Sequence, residues 1–228
     1  AWSDRAIHKA PGHANAKGAL IVRGDSMIRR VLVALHGSES GHAAIDRAVQ
    51  LAVTNKAELT GVGVVDLPYI RRGEPVPVGG MSFKAATEER LIAEARAAIE
   101  ALGAELKTKA ANAGLAVRLV ELEGEPVDVM SGLLQTHDVV VVGRHGSFHE
   151  VDDRNSTLVM GLLKHGPRPV WLAPEDASAE GPIVIAYDGS TPSARALHMF
   201  VLMGLASIAK VAVLSVGDTL ADARKTAS

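Results

Sequence analysis

The sequence DVVVVGRHG (138–146) decides the fold class of this 228-residue chain. Its run of valines has no polar face, which is typical of a central parallel strand covered by helices on both sides. The run stops at Gly143, a second glycine follows at Gly146, and a helical pattern begins near Ser156. Strand, glycine turn and helix in this order often hold a phosphate group. The segment therefore raises the question of whether a nucleotide binds at this turn.

Strands and helices alternate on both sides of this segment, from Met27 onward. Apolar runs predict strands at 29–35, 57–65, 115–124, 138–143 and 168–174, and helical periodicity predicts helices at 40–56, 82–114, 126–137 and 156–166. A segment rich in Pro and Gly, 66–80, is predicted to be a loop. Strands separated by helices imply right-handed crossovers. The predicted class is α/β, with an open, doubly wound, mostly parallel five-stranded sheet of the Rossmann-like kind.

The chain also contains an internal repeat. Residues 31–66 align without a gap on residues 183–218, with the same order of strand, helix and strand. We therefore predict a complete domain at 27–178 and a partial second copy at 182–228. The second copy has no counterpart of the glycine turn at Gly143. Residues 1–26 are interpreted as a leader or flexible arm, and the alternative is an extension that docks on a partner.

Composition excludes several classes of function. The net charge of −2 gives no electrostatic case for nucleic acid or an anionic membrane as a partner. The absence of cysteine excludes disulfides, thiolate-bound zinc and thiol catalysis, and it fits a reducing compartment, which we expect to be the cytoplasm. No apolar run is long enough to span a membrane.

Ligands of open α/β sheets lie beyond the carboxyl ends of the strands, where the strand order reverses. The first and fourth strands usually flank that crevice, and here they end in LHGS (35–38) and GRHG (143–146). Glycine at these places lets the backbone approach a ligand. The alternative is that Gly37 and Gly143 only end their strands.

Three segments together resemble the universal stress protein (UspA-like) family: RVLVALHGSESGHAAIDRAVQLA (30–52), VVVVGRHG (139–146) and KHGPRPVWLAP (164–174). The resemblance covers 27–174 as a complete domain and 182–228 as the first part of another, so the chain resembles a tandem member with an incomplete second domain. Members that bind ATP carry a phosphate loop of the form G-x2-G-x9-G-[S/T]. This chain matches that spacing with Gly143 and Gly146, but Ser156 replaces the third glycine, ahead of Thr157.

The resemblance implies a fold of the adenine nucleotide alpha hydrolase kind and ATP, with Mg²⁺, as the ligand. It places adenine against the second strand near Val64, ribose near His36, and the phosphates at the loop. Nucleotide-binding relatives resemble each other in having aspartate where this chain has His36; the second copy has that aspartate, as Asp188. The implied nucleotide-binding residues are His36, Val64, Val142, Gly143, Arg144, Gly146, Ser156, Thr157 and Leu158, with Asp188 in the second copy.

The loop between the glycine turn and the helix is acidic. It carries Glu150, Asp152 and Asp153, and one such charge about 4 Å from a phosphate would oppose binding by roughly 1–4 kcal/mol. A bound Mg²⁺ would reverse this effect. His145 and His149 lie in the same loop, where their spacing does not fix two ligands, so a solvated polar loop is favoured over a metal site.

Signatures of catalysis are few in the sequence, and a slow nucleotide hydrolase, for which no general base can be identified, is a minor alternative. Residues 37–41 read GSESG, which is not the nucleophile elbow G-x-S-x-G, and no G-x4-G-K-[S/T] phosphate loop occurs. The leading prediction is an adenine-nucleotide-binding stress-response or regulatory protein without dedicated catalysis. The alternative is a degenerate family member that no longer binds a nucleotide and acts as a dimerisation or interaction module. A homodimer is expected in both cases, because the resemblance implies pairing through 168–174.

Overall fold

The computed structural model of the chain describes residues 28–72, 81–144, 156–175, 182–205, 210–216 and 226. Its main sheet has five strands in the order β3-β2-β1-β4-β5, and every neighbouring pair is parallel. The strands are β1 (Arg30–Ala34), β2 (Glu58–Val65), β3 (Val117–Glu123), β4 (Val139–Gly143) and β5 (Val170–Ala173). The predicted α/β class and five-stranded parallel sheet are confirmed.

Helices cover both faces of this sheet, as the all-apolar β4 requires. They are α1 (Glu39–Asn55), α2 (Leu67–Ile70), α3 (Met81–Asn112), α4 (Pro126–Leu134) and α5 (Ser156–His165). Alternate residues of β1 point to opposite faces: Val33 packs in a core with α1 and α3, whereas Leu32 packs in a core with α4 and α5. The sheet is therefore doubly wound.

The segment predicted to be a loop, 66–80, begins with the short helix α2. The Asp66 carboxylate accepts a hydrogen bond from the Tyr69 N–H at 2.9 Å, which caps this helix. The sequence pattern missed it because a single capped turn has no apolar periodicity.

The long helix α3 differs from its prediction in what it buries. The sequence predicts an apolar stripe along this helix, formed by Leu91, Ala95, Ala98, Leu102 and Leu106. Leu102 and Leu106 are buried, but Leu91 and Ala98 are exposed. A helix of 32 residues is about 48 Å long, whereas an eight-residue strand such as β2 spans about 26 Å. The N-terminal half of α3 therefore extends past the strands that its C-terminal half covers.

A second, two-stranded parallel sheet follows in the chain. It consists of β6 (Ile183–Ala186) and β7 (Val211–Leu214), connected through α6 (Thr191–Leu202). Just after α6, Met203 is buried among the core residues on the α1 face of the main sheet, and Leu205 packs against the same core. That this unit is a partial second copy of the main domain stays a prediction. Among the described residues, no helix is both long and apolar enough to cross a membrane.

Candidate functional site between β1 and β4

The carboxyl ends of β1 and β4 lie side by side in the main sheet. The two strands are paired in parallel, with Val33 opposite Val141. β1 also pairs with β2, so the chain order reverses between β1 and β4. This is the switch point at which open α/β sheets bind ligands. His36, the second residue past β1, and Arg144, the first residue past β4, flank the crevice.

The His36 side chain connects the two strand ends. Its Nε2 accepts a hydrogen bond from the Gly143 backbone N–H at 3.1 Å, and the residue is only 2% exposed. Just before His36, the main chain is hydrogen-bonded to β2 and not to β4, since the Leu35 N–H donates to the Val62 carbonyl at 2.8 Å. The imidazole thus takes the place of a β1 carbonyl and extends the ladder between β1 and β4 by one bond.

The other ring nitrogen of His36 holds the start of α1. Nδ1 lies 3.0 Å from the Ser38 hydroxyl, which also lies 2.9 Å from the Ser40 hydroxyl and accepts the Gly41 N–H at 3.2 Å. Because Nε2 is an acceptor, the neutral ring carries its proton on Nδ1 and donates it to Ser38. One imidazole therefore fixes both β4 and the N-terminal cap of α1.

Burial keeps this imidazole uncharged. It lowers the pKa of His36 from 6.5 to about 4, with a smaller contribution from His42. In the neutral tautomer that the Gly143 bond selects, the His36 ring donates to Ser38 and has no lone pair directed at it. A base that activates a serine must accept its proton, so the geometry is not that of a Ser–His nucleophile pair.

Two glycines allow the close packing around His36. A side chain at Gly143 would place its Cβ 2.6 Å from the His36 Cε1 atom and 2.5 Å from the Ser40 carbonyl carbon. A Cβ at Gly41 would overlap the His36 carbonyl oxygen. Gly37, in contrast, has open space around it. The alternative that Gly143 only ends a strand is therefore incomplete, because this position also has to admit the imidazole.

Three other predicted site residues belong to the core. Val64, Val142 and Leu158 are at most 7% exposed and pack together on the α4 and α5 face. Their side chains are committed to that core, so only their backbone can serve a ligand. Arg144 is exposed; its N–H donates to the Ala173 carbonyl at 2.8 Å, and its guanidinium has no hydrogen-bond or ion-pair partner among the described residues.

The rest of the predicted phosphate loop is described only where it becomes helical. Ser156 and Thr157 are the first residues of α5. Gly146 and residues 145–155, with the acidic and histidine side chains of the loop, lie outside the described residues. Within the described residues, no group of three His, Asp or Glu could hold a metal ion.

Asp188 does not join this crevice. It follows β6, in the separate two-stranded sheet, and its carboxylate accepts the Ser190 N–H at 2.9 Å. Hydrogen bonds from Ser190 and Ser193 lower the pKa of Asp188 to about 2. The structure therefore brings His36 and Gly143 into contact and gives Asp188 a local role in the turn before α6.

Ser38, Ser40 and Gly41 were not predicted as members of the site. Ser38 could have been found, because a serine just before a helical pattern is a typical N-cap. Nothing in the local pattern indicates Ser40 or Gly41, whose roles arise only when α1 lies against β4.

Comparison with known proteins agrees with this architecture. The model of the Universal stress protein family matches residues 27–174. The universal stress protein UspA from Lactobacillus plantarum is 21% identical, with a TM-score of 0.51 over 64% of this chain and 97% of that protein. A universal stress protein family member from Burkholderia pseudomallei is 25% identical (TM-score 0.42, 65% and 98% covered). An AMP-bound member from Arabidopsis thaliana is 16% identical (TM-score 0.45, 65% and 93% covered).

No protein of curated function matches the chain in sequence. The family match nevertheless spans well over half of the 228 residues and includes all five strands of the main sheet. This chain belongs to the universal stress protein family.

Proposed function

We propose that the main domain binds an adenine nucleotide, ATP with Mg²⁺, at the carboxyl ends of β1, β2 and β4. The protein would act in the cytoplasm as a stress-response or regulatory protein without dedicated catalysis. One observation carries the proposal: Gly143 ends β4 directly beside the β1 end, and α5 begins at Ser156, at the interval of the family's phosphate loop. Membership of the family supports it.

The phosphate side of the proposed site rests on α5 and Arg144. α5 has 10 residues, and its first N–H groups and its dipole favour an anion beyond Ser156. Arg144 adds an exposed cation immediately after β4. These groups oppose the repulsion expected from Asp152 and Asp153.

The adenine side rests on the different lengths of β1 and β2. The register between them ends with Ala34 opposite Val62, whereas β2 continues to Val65. In a parallel ladder alternate residues point the same way, so Val64 directs its N–H and C=O to the β1 side, as Val62 does. These groups face the space beyond the end of β1, where an adenine could use both. A backbone contact suits Val64, whose side chain is buried.

The absence of dedicated catalysis rests on His36. It is the one histidine among the described residues at this crevice, and its tautomer is fixed by Gly143. We therefore assign it a structural role.

The first test is whether the protein binds ATP. Nucleotide released by heating the purified protein would be separated on an anion exchanger, and ATP and adenosine would be titrated by calorimetry. Arg144→Gln should weaken ATP binding more than adenosine binding. Arg168→Gln is the matched control, because Arg168 precedes β5 and so lies at the opposite end of the strands. No binding of ATP or adenosine to the wild type would refute the proposal.

The loop can be tested in the same way. Ser156→Gly restores the family's third glycine and should tighten ATP binding. Replacing Asp152 and Asp153 with asparagine should improve ATP binding more than adenosine binding, because only ATP carries phosphates near those charges. Equal gains for both ligands would contradict the electrostatic explanation.

A second candidate function is a dimerisation or interaction module that binds no nucleotide. It is favoured by the exposed apolar side chains of the two-stranded sheet, where Val184 is 58% and Val213 is 47% exposed. We propose a homodimer in both cases. Light scattering after gel filtration would test it: a dimer that binds no nucleotide supports the module, and a monomer at all concentrations excludes the homodimer.

A further inference from the structure

The strand order determines where the sugar of the proposed nucleotide lies. If adenine lies at the β2 backbone near Val64 and the phosphates lie beyond β4, the ribose must cross the end of β1, since β1 lies between β2 and β4. The side chain at that end is His36. Within the part of the chain that the structure describes, recognition of the ribose hydroxyls therefore depends on the hydrogen-bonding capacity of His36 and its neighbours.

His36 has no capacity left. A neutral imidazole offers one donor and one acceptor. The acceptor, Nε2, is used by the Gly143 N–H at 3.1 Å, and Nδ1 is used by Ser38 at 3.0 Å. A ribose hydroxyl could displace the Gly143 N–H only by leaving a buried donor unpaired, which is unfavourable.

The neighbouring hydroxyls are engaged as well. The Ser38 oxygen contacts His36 and the Ser40 hydroxyl and accepts the Gly41 N–H. Ser40 is completely buried. The imidazole is also packed tightly against Gly143, where there is no room even for a Cβ atom. A ribose hydroxyl therefore finds no available hydrogen-bonding group on His36, Ser38 or Ser40, and there is no space for it between His36 and Gly143.

A carboxylate at the same position would behave differently. An aspartate carboxylate accepts at up to about four sites and is shorter than the imidazole whose Nε2 binds the Gly143 N–H, so it would keep acceptor sites for hydroxyl groups. Asp188, at the aligned position of the internal repeat, illustrates this: its carboxylate accepts the Ser190 N–H and remains exposed. The residue type at position 36 thus decides whether acceptors remain for a sugar.

We propose that the nucleotide site of this protein does not distinguish the sugar, so that it takes ribo- and deoxyribonucleotides of adenine equally. His36 is the residue that determines this specificity. The inference rests on the proposed nucleotide binding and adds to it the class of sugar that the site accepts.

The test compares ATP, 2′-deoxy-ATP and 3′-deoxy-ATP by calorimetry on the whole chain. A site that hydrogen-bonds a hydroxyl rejects the analogue lacking it by orders of magnitude. The wild type should bind the three within about threefold of one another. His36→Asp should prefer ATP by about tenfold or more, because hydrogen bonds to a charged acceptor are strong. The control His198→Asp, which makes the same change at an exposed position of α6, should behave as the wild type does.

The outcomes separate the two proposals. Preference of the wild type for ATP by more than about threefold overturns the sugar inference and leaves nucleotide binding intact. No binding of any of the three overturns nucleotide binding and the inference with it. The wild-type comparison decides even if His36→Asp fails to fold, which circular dichroism would show.

Discussion

The Nε2 atom of His36 accepts the backbone N–H of Gly143 across two parallel strands, at 3.1 Å. A side chain here performs the function of a main-chain carbonyl, and it does so at the switch point of the sheet. The same ring donates to the serine that caps α1. Strand pairing, helix capping and the shape of the crevice therefore depend on one residue.

Replacing His36 with alanine should lower the free energy of unfolding by about 2–4 kcal/mol. The change leaves the Gly143 N–H buried and unpaired and also creates a cavity. Urea denaturation followed by circular dichroism measures it. His198→Ala, at an exposed site, is the control and should change little. A loss below about 1 kcal/mol for His36→Ala would contradict the role assigned to the imidazole.

Acid should destabilise the protein through His36. Its pKa is about 4 in the folded chain and 6.5 as an ordinary value, so between these pH values the unfolded chain binds more protons. Its contribution to stability is therefore complete above about pH 6.5 and is lost as the pH falls to about 4, by roughly 3 kcal/mol in all.

The contribution is isolated by comparison with His36→Gln, whose side-chain amide reaches the position of Nε2, so that its oxygen can accept the Gly143 N–H, but does not titrate in this range. The difference in unfolding free energy between the two proteins should rise with pH between 4 and 6.5. A difference independent of pH would show that the imidazole is not held neutral by burial.

Gly41→Ala and Gly132→Ala should have opposite effects, although both glycines are helical. At Gly41 the new Cβ would overlap the His36 carbonyl oxygen, so a loss of at least about 3 kcal/mol is expected. Gly132 in α4 has nothing within 4 Å of the new atom, and alanine there should stabilise by about 0.5–1 kcal/mol. Thermal denaturation of both variants tests the packing; similar shifts of the melting temperature would refute it.

Met203→Ala should destabilise the protein by about 2–4 kcal/mol. The side chain is 7% exposed and belongs to the core on the α1 face, so its removal leaves a cavity. Met160→Ala, at a position that is 43% exposed, is the matched control and should cost much less. Equal losses would mean that residues 182–205 do not share the core of the main domain.

The sequence predicted the class of fold because each strand of the main sheet is marked by its own apolar run. The adjacency of β1 and β4 was expected because the first and fourth strands usually flank the crevice of such sheets. The buried half of α3 could not be predicted, since its stripe of apolar residues continues beyond the strands that it covers. Leu91 and Leu102 occupy equivalent positions in the apolar pattern. Leu102 is buried and Leu91 is exposed because β2 is too short to cover the whole helix.

The candidate site was predicted in part. Glycine spacing indicated Gly143 and the start of α5, and the resemblance indicated His36. What the sequence could not provide is the partner of each polar atom: the resemblance places a ribose near His36, but only the structure shows that its two ring nitrogens contact Gly143 and Ser38. That arrangement depends on two elements more than 100 residues apart in the chain.

The strands β1 and β6, which align in the predicted repeat, lie in different environments, and amide hydrogen exchange would register the difference. Leu32 and Ala34 of β1 point their backbone groups toward β4. The aligned Val184 and Ala186 of β6 point theirs away from β7, because Ile183 and Tyr187 bond to the β7 side. Deuterium should enter Val184 and Ala186 by local fluctuation, within the first time points, and should reach Leu32 and Ala34 only through global unfolding. Two strands of aligned sequence would thus show both extremes of protection within a single molecule.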